Sequence, residues 1–152
     1  MKVTGATLKD IEQIQRLLKS GIDDGAILFR SDDVVATNIR SYITVRTSKG
    51  TIIGVTALHI HTKELGEVRS LFVDSDYRNQ GVAHKLLLKA IDNGKELGLK
   101  QILTLTYRDS LFKRLDFKEI EKSSLPNSKI WADCMSCKHF PVCDEVALLK
   151  EI

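Results

Sequence analysis

The stretch from residue 71 to residue 83 reads LFVDSDYRNQGVA and decides the expected fold. An apolar strand ends at Val73, a polar loop follows, and a helix begins at Gly81. The first amides of a helix lack an intrahelical acceptor and lie at the positive end of the helix dipole. The turn from Arg78 to Ala83 therefore presents N–H groups to an anion, and the small residues leave room for a pyrophosphate near the backbone.

Positive charge collects at this turn, since Arg78, Lys85 and Lys89 lie in it or just after it. Such charge favours a polyanionic ligand. The spacing fits neither the phosphate-loop pattern GxxxxGK(S/T) nor the dinucleotide pattern GxGxxG. Because a glycine also opens helices for structural reasons alone, the turn by itself leaves a binding and a purely structural interpretation open.

Hydrophobic periodicity on either side of the turn predicts the rest of the fold. Period-two runs predict strands at residues 2–6, 42–47, 51–61, 67–73, 102–106, 117–121 and 146–152. Helical spacing predicts helices after caps at Thr7 and Ser31, with Gly21 ending the first, and further helices at residues 81–97 and 109–115. A meander followed by strand–helix–strand predicts an α/β fold, a mixed sheet of about seven strands with helices on both faces.

Length and composition indicate a single globular domain over residues 1–152, with 43% hydrophobic and 28% charged residues. No apolar run approaches the roughly 18 residues of a membrane span, and no export signal follows Met1, so we expect a cytoplasmic protein without a membrane partner. The net charge of +3 comes from basic residues spread along the chain, which does not favour nucleic-acid binding. A homodimer stays open.

Three cysteines, Cys134, Cys137 and Cys143, are crowded into one short segment. An odd number at such spacing does not suit a disulfide framework, which leaves free thiols or metal ligands. With His139 they could complete a tetrahedral zinc site, although strong zinc modules supply two separated ligand pairs. We therefore expect no metal, and zinc at these four residues is the alternative.

Residues 78–83 match RxxGxA, which resembles the acetyl-CoA signature (Q/R)xxGx(G/A) of the GNAT superfamily of N-acetyltransferases. Residues 111–117, LFKRLDF, resemble the late aromatic segment of that family around Leu-Gly-Phe, with Asp116 in place of the usual glycine. The predicted elements follow the family order over nearly the whole chain. The resemblance implies the GNAT fold, a strand that splays from its neighbour, and acetyl-CoA as co-substrate. The implied cofactor-binding residues are Leu71, Phe72, Val73, Arg78, Asn79, Gln80, Gly81, Val82 and Ala83.

Residues 129–145, KIWADCMSCKHFPVCDE, resemble the C-terminal end of the short bacterial N-acetylglutamate synthases of arginine biosynthesis. Residues 67–71 (EVRSL) and 105–107 (LTY) are similar to the same subgroup. This resemblance implies L-glutamate as the acceptor. The alternatives are another small amine, a protein amine, or a non-catalytic acyl-CoA-binding module.

Direct acetyl transfer needs a base that removes a proton from the amine, and Glu67 is our candidate. It lies thirteen residues before Gln80, the spacing at which several GNAT enzymes place a catalytic glutamate. An exposed glutamate that closes a turn after Gly66 is the alternative. A backbone N–H near Phe72 is expected to stabilise the oxyanion.

The departing thiolate needs a proton, which many GNAT enzymes take from a tyrosine in the late helix. Phe112 occupies that place here, so Tyr107 is the substitute, and a hydrogen-bonded core tyrosine is the alternative. His59 and His61 share one strand face, where they could move protons or bind metal, or simply form a polar face.

Glutamate carries two carboxylates, so its pocket should contain at least one guanidinium. Arg30, in the loop before the second helix, and Arg69, on the strand of the candidate base, are best placed. Lys129 is a third candidate. Each of these cations is equally compatible with a solvated surface position.

Overall fold

A computed structural model of the chain describes residues 1–125 and 145–152. All seven predicted strands form, each end within two residues of its predicted position. The strands are β1 (Lys2–Gly5), β2 (Tyr42–Arg46), β3 (Ile52–Ile60), β4 (Leu65–Val73), β5 (Gln101–Thr106), β6 (Lys118–Ile120) and β7 (Val146–Glu151). The helices are α1 (Ile11–Asp23), α2 (Asp32–Thr37), α3 (Val82–Leu97) and α4 (Asp109–Lys113).

The strands make one sheet in the order β1-β2-β3-β4-β5-β7-β6. Strands β4 and β5 run parallel, and the other neighbours are antiparallel. The parallel pair arises because α3 carries the chain back to the starting edge before β5 begins, as in any strand–helix–strand unit. The prediction of a mixed sheet is confirmed.

Helices cover both faces of the sheet, as predicted. Alternate residues of a strand point to opposite faces, so β2 serves two cores. Tyr42 packs with Ile14 and Leu18 of α1, whereas Ile43 packs with Leu86 of α3. The sheet is therefore buried from both sides, with α1 and α2 on one face and α3 on the other.

The predicted capping box forms at Thr7 and opens a short 3-10 turn over Leu8–Asp10 that leads into α1, whereas the end of α1 differs from its prediction. The Asp10 carboxylate accepts hydrogen bonds from the Thr7 backbone N–H at 2.8 Å and the Thr7 hydroxyl at 3.2 Å. Gly21 was expected to end the helix, but α1 continues to Asp23. A side chain at Gly21 would place Cβ 2.7 Å from Ile27 and 2.9 Å from Phe72. This glycine permits close packing rather than ending the helix.

Helix α2 begins at its predicted cap, because the Val34 N–H donates to the Ser31 hydroxyl at 3.2 Å. The helix ends at Thr37, and a short 3-10 turn over Ile39–Ser41 leads into β2.

Helix α3 lies between two glycines in the left-handed conformation, Gly81 with φ of 78° and Gly98 with φ of 90°. A non-glycine residue adopts this conformation at a cost, so both positions favour glycine. The helix rests directly on β3, where a Cβ at Gly54 would lie 2.6 Å from Val82. The sheet contact and the left-handed turn together set where α3 begins.

Within the described part of the chain, we find no helix with the length and apolar character that crossing a membrane would require.

Candidate active site

The candidate site is a cleft that opens where β4 and β5 separate. Their ladder joins Leu65 to Gln101, Gly66 to Ile102 and Glu67 to Leu103. One residue further along, the strands are joined through a side chain, because the Thr104 hydroxyl donates to the Val68 carbonyl at 3.0 Å. Past this point residues 68–73 and 104–106 line opposite sides of a cleft of about 1270 Å³.

A bulge in β4 bends the strand beside this cleft. Val55 of β3 pairs with Phe72, and Ala57 pairs with Arg69, so two residues of β4 face one of β3. Ser70, in the bulge, has a positive φ of 57°. A bulge increases local twist and redirects the strand, which accounts for the departure of β4 from β5.

The turn from β4 to α3 presents backbone amides to the end of the cleft nearest the start of α3. Asn79 and Gly81 both adopt left-handed φ values of 63° and 78°, and Gly81 offers no side-chain cap to the helix. The first N–H groups of α3 have no acceptor within the helix. Backbone amides that converge at a helix N-terminus make a binding site for an anion such as phosphate.

Arg78 lies against the strand end that precedes this turn. Its guanidinium sits 5.5 Å from the centre of the Phe72 ring, and its Nε is 3.4 Å from the Val73 carbonyl oxygen. Arg78 is exposed, and these two contacts bring its guanidinium close to the strand end that leads into the amide turn. Eight of the nine predicted cofactor-binding residues line the cleft: Leu71, Phe72, Val73, Arg78, Asn79, Gly81, Val82 and Ala83. Gln80 is exposed and lies outside this lining, with its amide 3.4 Å from the Asp76 carbonyl.

Glu67 lies on the floor of the cleft, within β4 rather than at its start. The alternative of an exposed turn glutamate is wrong, because the residue is 1% exposed and the strand begins at Leu65. Its Oε1 is 2.8 Å from Nε2 of His61, whose side chain is 6% exposed. Gly66, expected in the turn, is a strand residue packed against Leu99. The structure therefore places a buried carboxylate, paired with an imidazole, at the cleft.

Arg30 and Arg69 also line the cleft, on the face of the sheet covered by α1 and α2. Arg69 pairs with Ala57, which pairs with Tyr42, so the three share a face. Burial raises the pKa of the Tyr42 phenol, and the positive charges of Arg30 and Arg69 oppose part of that rise. Both guanidiniums therefore lie near one buried phenol. The loop of Arg30 is fastened to α1, since Gln15 Nε2 donates to its carbonyl at 2.8 Å.

Tyr107 follows β5 and lines the same cleft. At 40% exposure it is not the core tyrosine that the sequence left open. Phe112 of α4 is buried and packs edge-on against Phe117 with ring centres 5.2 Å apart. Asp116 adopts a left-handed φ of 68°, which explains why this position favours glycine and still admits Asp.

Several predicted residues fall outside the described ranges: Lys129, Cys134, Cys137, His139 and Cys143. Within residues 1–125 and 145–152, no group of three His, Cys, Asp or Glu side chains is arranged to hold a metal ion.

Sequence reasoning did not assign Tyr42 or pair His61 with Glu67. The period-two pattern of β3 does place His59 and His61 on one face, and the structure brings their rings edge to edge at 4.9 Å. The hairpin register, which the sequence did not provide, turns this face toward Glu67 through the pairing of His59 with it.

Comparison with known proteins identifies the family. Residues 11–117 match the acetyltransferase (GNAT) family. A Chlorobaculum tepidum protein named as an uncharacterized N-acetyltransferase is 37% identical over 150 residues, covering 99% of this chain and 96% of that protein. The amino-acid acetyltransferase of Aeromonas salmonicida is 29% identical over 123 residues, covering 80% of this chain and 28% of that enzyme.

Solved structures share the fold. A Mycobacterium tuberculosis protein in complex with CoA has a TM-score of 0.84 at 20% identity, covering 100% of this chain and 99% of that one. The N-acetylglutamate synthase of Neisseria gonorrhoeae, complexed with coenzyme A and N-acetyl-glutamate, has a TM-score of 0.86 at 20% identity. That alignment covers 99% of this chain but 34% of the synthase, so this chain spans about a third of its length.

The match over most of the chain and the seven-stranded sheet with its splayed strands lead to the same conclusion. The chain belongs to the acetyltransferase (GNAT) family and is an N-acetyltransferase.

Proposed function

We propose that this protein transfers the acetyl group of acetyl-CoA to the α-amine of L-glutamate, the first step of arginine biosynthesis, and that residues 1–152 form one catalytic domain. The observation that carries the proposal is the placement of two arginines, Arg30 and Arg69, in the same cleft as the buried carboxylate of Glu67. A dicarboxylic amino acid offers a group for each of these charges.

The residues at the end of the cleft nearest the start of α3 are suited to hold acetyl-CoA. The amides of the turn at Asn79 and Gly81, the first amides of α3 and the guanidinium of Arg78 would hold the pyrophosphate. The strand segment Leu71 to Val73 lines the path from this turn towards Glu67, where the pantetheine arm would lie. When bound, acetyl-CoA supplies an activated acyl group as a thioester.

Glu67 would take the proton that the ammonium of the acceptor must lose before its nitrogen can attack. Its depth in the cleft excludes bulk water, and the imidazole of His61 lies 2.8 Å from its Oε1. A backbone N–H of β4 near Phe72 would stabilise the negative charge that develops on the carbonyl oxygen. Tyr107 lines the same cleft and would return a proton to the departing thiolate.

Arg30 and Arg69 would receive the two carboxylates of the acceptor. A dicarboxylate that leaves water must have its charges matched, because burying an unpaired charge opposes binding. Guanidiniums suit this task, since their fork of N–H donors can bind a carboxylate in two places. Both belong to the α1 and α2 face, which separates acceptor binding from the cofactor turn.

The names of related proteins support this choice of acceptor. The Aeromonas relative is an amino-acid acetyltransferase, and the Neisseria protein of the same fold is an N-acetylglutamate synthase. Each is about three times longer than this chain, so the substrate is carried over as part of the proposal.

The test is acetyl-CoA turnover by the purified full chain with L-glutamate, L-glutamine, L-lysine and a peptide amine, followed by thiol release and by mass of the product. We expect the highest kcat/KM for glutamate. A higher value for glutamine, lysine or the peptide would overturn the acceptor assignment. Binding of acetyl-CoA with no acetylation of any amine would instead indicate a binding module.

A further inference from the structure

Glu67 and His61 form a buried pair that the proposed chemistry does not by itself require. Glu67 Oε1 and His61 Nε2 are 2.8 Å apart, and the two side chains are 2% and 6% exposed. Glu67 comes from β4, and His61 directly follows the end of β3. The hairpin register thus brings an imidazole to the carboxylate of Glu67, which lines the cleft.

The ionisation state of Glu67 determines which atom carries the proton in this contact. An ionised carboxylate can only accept hydrogen bonds, so the ring donates through Nε2–H whenever Glu67 is charged. A carboxylate taken out of water without donors becomes neutral instead, because burial disfavours the charged form. A neutral carboxyl group cannot act as a base.

We infer that His61 is a positioning residue that keeps Glu67 ionised and fixes the direction of its carboxylate within the cleft. The inference rests on the proposed role of Glu67 as the base, and it does not depend on which amine is the acceptor. The ring does not have to carry the proton away from the active site.

Other charged or titratable groups face the same region. His59 of β3 meets the His61 ring edge-on at 4.9 Å. Arg69 lies two residues from Glu67 on the same face of β4, while the β5 residue in register with Glu67 is the apolar Leu103. The remaining charged or titratable groups of the cleft include Arg30, Tyr107, Arg108, Arg114 and Glu145. His61 Nε2 lies 2.8 Å from Glu67 Oε1, within hydrogen-bond distance of the carboxylate.

Two substitutions separate a donor from a proton carrier. His61→Gln keeps an N–H donor at a similar reach but cannot accept and release a proton at neutral pH. His61→Leu keeps bulk and removes the donor. His59→Gln serves as the matched control, because it removes the neighbouring ring and leaves the contact between His61 and Glu67 in place.

The first measurement needs no substrate. In ¹⁵N-labelled protein, the His61 Nε2–H resonance should be visible, slow to exchange and shifted downfield, and it should move upfield in Glu67→Gln. A resonance that is absent, or the same in both proteins, would overturn the pairing whatever the acceptor proves to be.

The second measurement is the pH dependence of kcat/KM with an amine that the wild type acetylates. We expect His61→Leu to lose roughly 10- to 100-fold at neutral pH, the factor of one hydrogen bond to a charged group. The acidic limb of the kcat/KM profile of His61→Leu should move up by about one to two pH units, because losing the donor favours the neutral carboxyl group of Glu67. Activity should then recover towards alkaline pH, which structural damage would not allow. His61→Gln and His59→Gln should keep the wild-type limb.

Three outcomes would overturn the inference. The limb of His61→Leu could stay in place, or its activity could fail to recover at alkaline pH. Alternatively, His61→Gln could lose as much as His61→Leu, which would make the ring a proton carrier. Wild-type activity in Glu67→Gln would instead refute the proposed base itself, so the two failures are distinguishable. Thermal melts of all variants show whether each is folded.

Discussion

Arg46 and Asp10 form a two-pronged ion pair that ties the end of β2 to the start of α1. Nη1 lies 3.0 Å from Oδ1, and Nη2 lies 2.6 Å from Oδ2. The Arg46 guanidinium lowers the pKa of the Asp10 carboxyl group from 3.8 to about 2, against the opposing effect of burial. The same carboxylate accepts the Thr7 N–H, so one side chain joins the end of β2 to the capping residue and to the start of α1.

This pair predicts a stability difference that depends on pH. A carboxylate whose pKa is lower in the folded state stabilises the protein above the unfolded pKa, and that stabilisation is lost as pH falls through the folded pKa. Asp10→Asn should therefore cost roughly 2 kcal/mol in free energy of unfolding at pH 7. The difference from wild type should shrink between pH 4 and pH 2, the window of the shifted pKa.

Urea unfolding at several pH values checks this prediction. Asp23→Asn is the control, because Asp23 forms an exposed pair with Lys19 and should change stability by well under about 1 kcal/mol. Equal effects of the two substitutions at pH 7 would contradict it.

The two left-handed glycines that border α3 allow cofactor binding to be separated from stability. Gly81→Ala and Gly98→Ala each force a side chain into a left-handed backbone with open space around it. Each should lower stability by roughly 1 kcal/mol. Only Gly81→Ala should weaken CoA binding, measured by calorimetric titration, because Gly81 lies in the amide turn. Gly81→Pro should abolish binding, since proline cannot adopt a φ of 78°. Unchanged CoA affinity in Gly81→Pro would reject the turn as the cofactor site.

Removal of the Glu67 carboxylate should affect the reaction more than cofactor binding. We expect Glu67→Gln to lower kcat by roughly 10² to 10⁴-fold, the usual contribution of a general base, with CoA affinity nearly unchanged. Glu64→Gln is the matched control, since Glu64 lies exposed in the turn just before β4. A variant of Glu67 that retains the wild-type rate and pH profile would place the base elsewhere.

Arg69 and Arg30 should determine the choice of acceptor. Replacing either with Ala should lower kcat/KM for glutamate by a factor equivalent to about 2 to 5 kcal/mol. This is the cost of leaving one member of a buried charged pair without its partner. For the arginine that binds the side-chain carboxylate, the loss should be smaller with glutamine, which lacks that carboxylate. Arg16→Ala on the exposed face of α1 is the control and should leave both values unchanged. Equal losses for glutamate and glutamine would show that neither arginine reads the side-chain carboxylate.

Contact between Gly54 and α3 predicts a packing penalty. In Gly54→Ala the new Cβ would lie 2.6 Å from Val82 and 3.1 Å from Leu86, both buried. We expect a loss of roughly 1 to 3 kcal/mol in urea unfolding, because the helix must move off the sheet. Gly5→Ala in β1 meets nothing within 4 Å and should change little. A comparably small effect at Gly54 would mean that α3 shifts without cost.

Local signals in the sequence predicted most of the fold and the amide turn at Gly81. Caps such as Ser31 satisfy helix amides a few residues away, and period-two runs fix which strand residues share a face. The left-handed turn at Gly81 depends on one residue, so the beginning of α3 was also readable locally. These features involve neighbours in the chain, and the local order of residues specifies them.

The side of the cleft that carries Arg30 and Arg69 depended on contacts between residues distant in sequence. Gly21 stays within a helix because Phe72 of β4 packs against it, and no local pattern reveals that contact. Arg30 and Arg69 meet at Tyr42 only through the loop anchor and the ladder across β2, β3 and β4.

The sequence alone determined the strands, the helices and a glycine-started amide turn, because each follows from neighbours in the chain. The tertiary structure alone decided that Glu67 is buried and paired with His61. One residue of slip in the β3–β4 hairpin would turn the carboxylate to the opposite face, and only packing on both sides of the sheet selects the register.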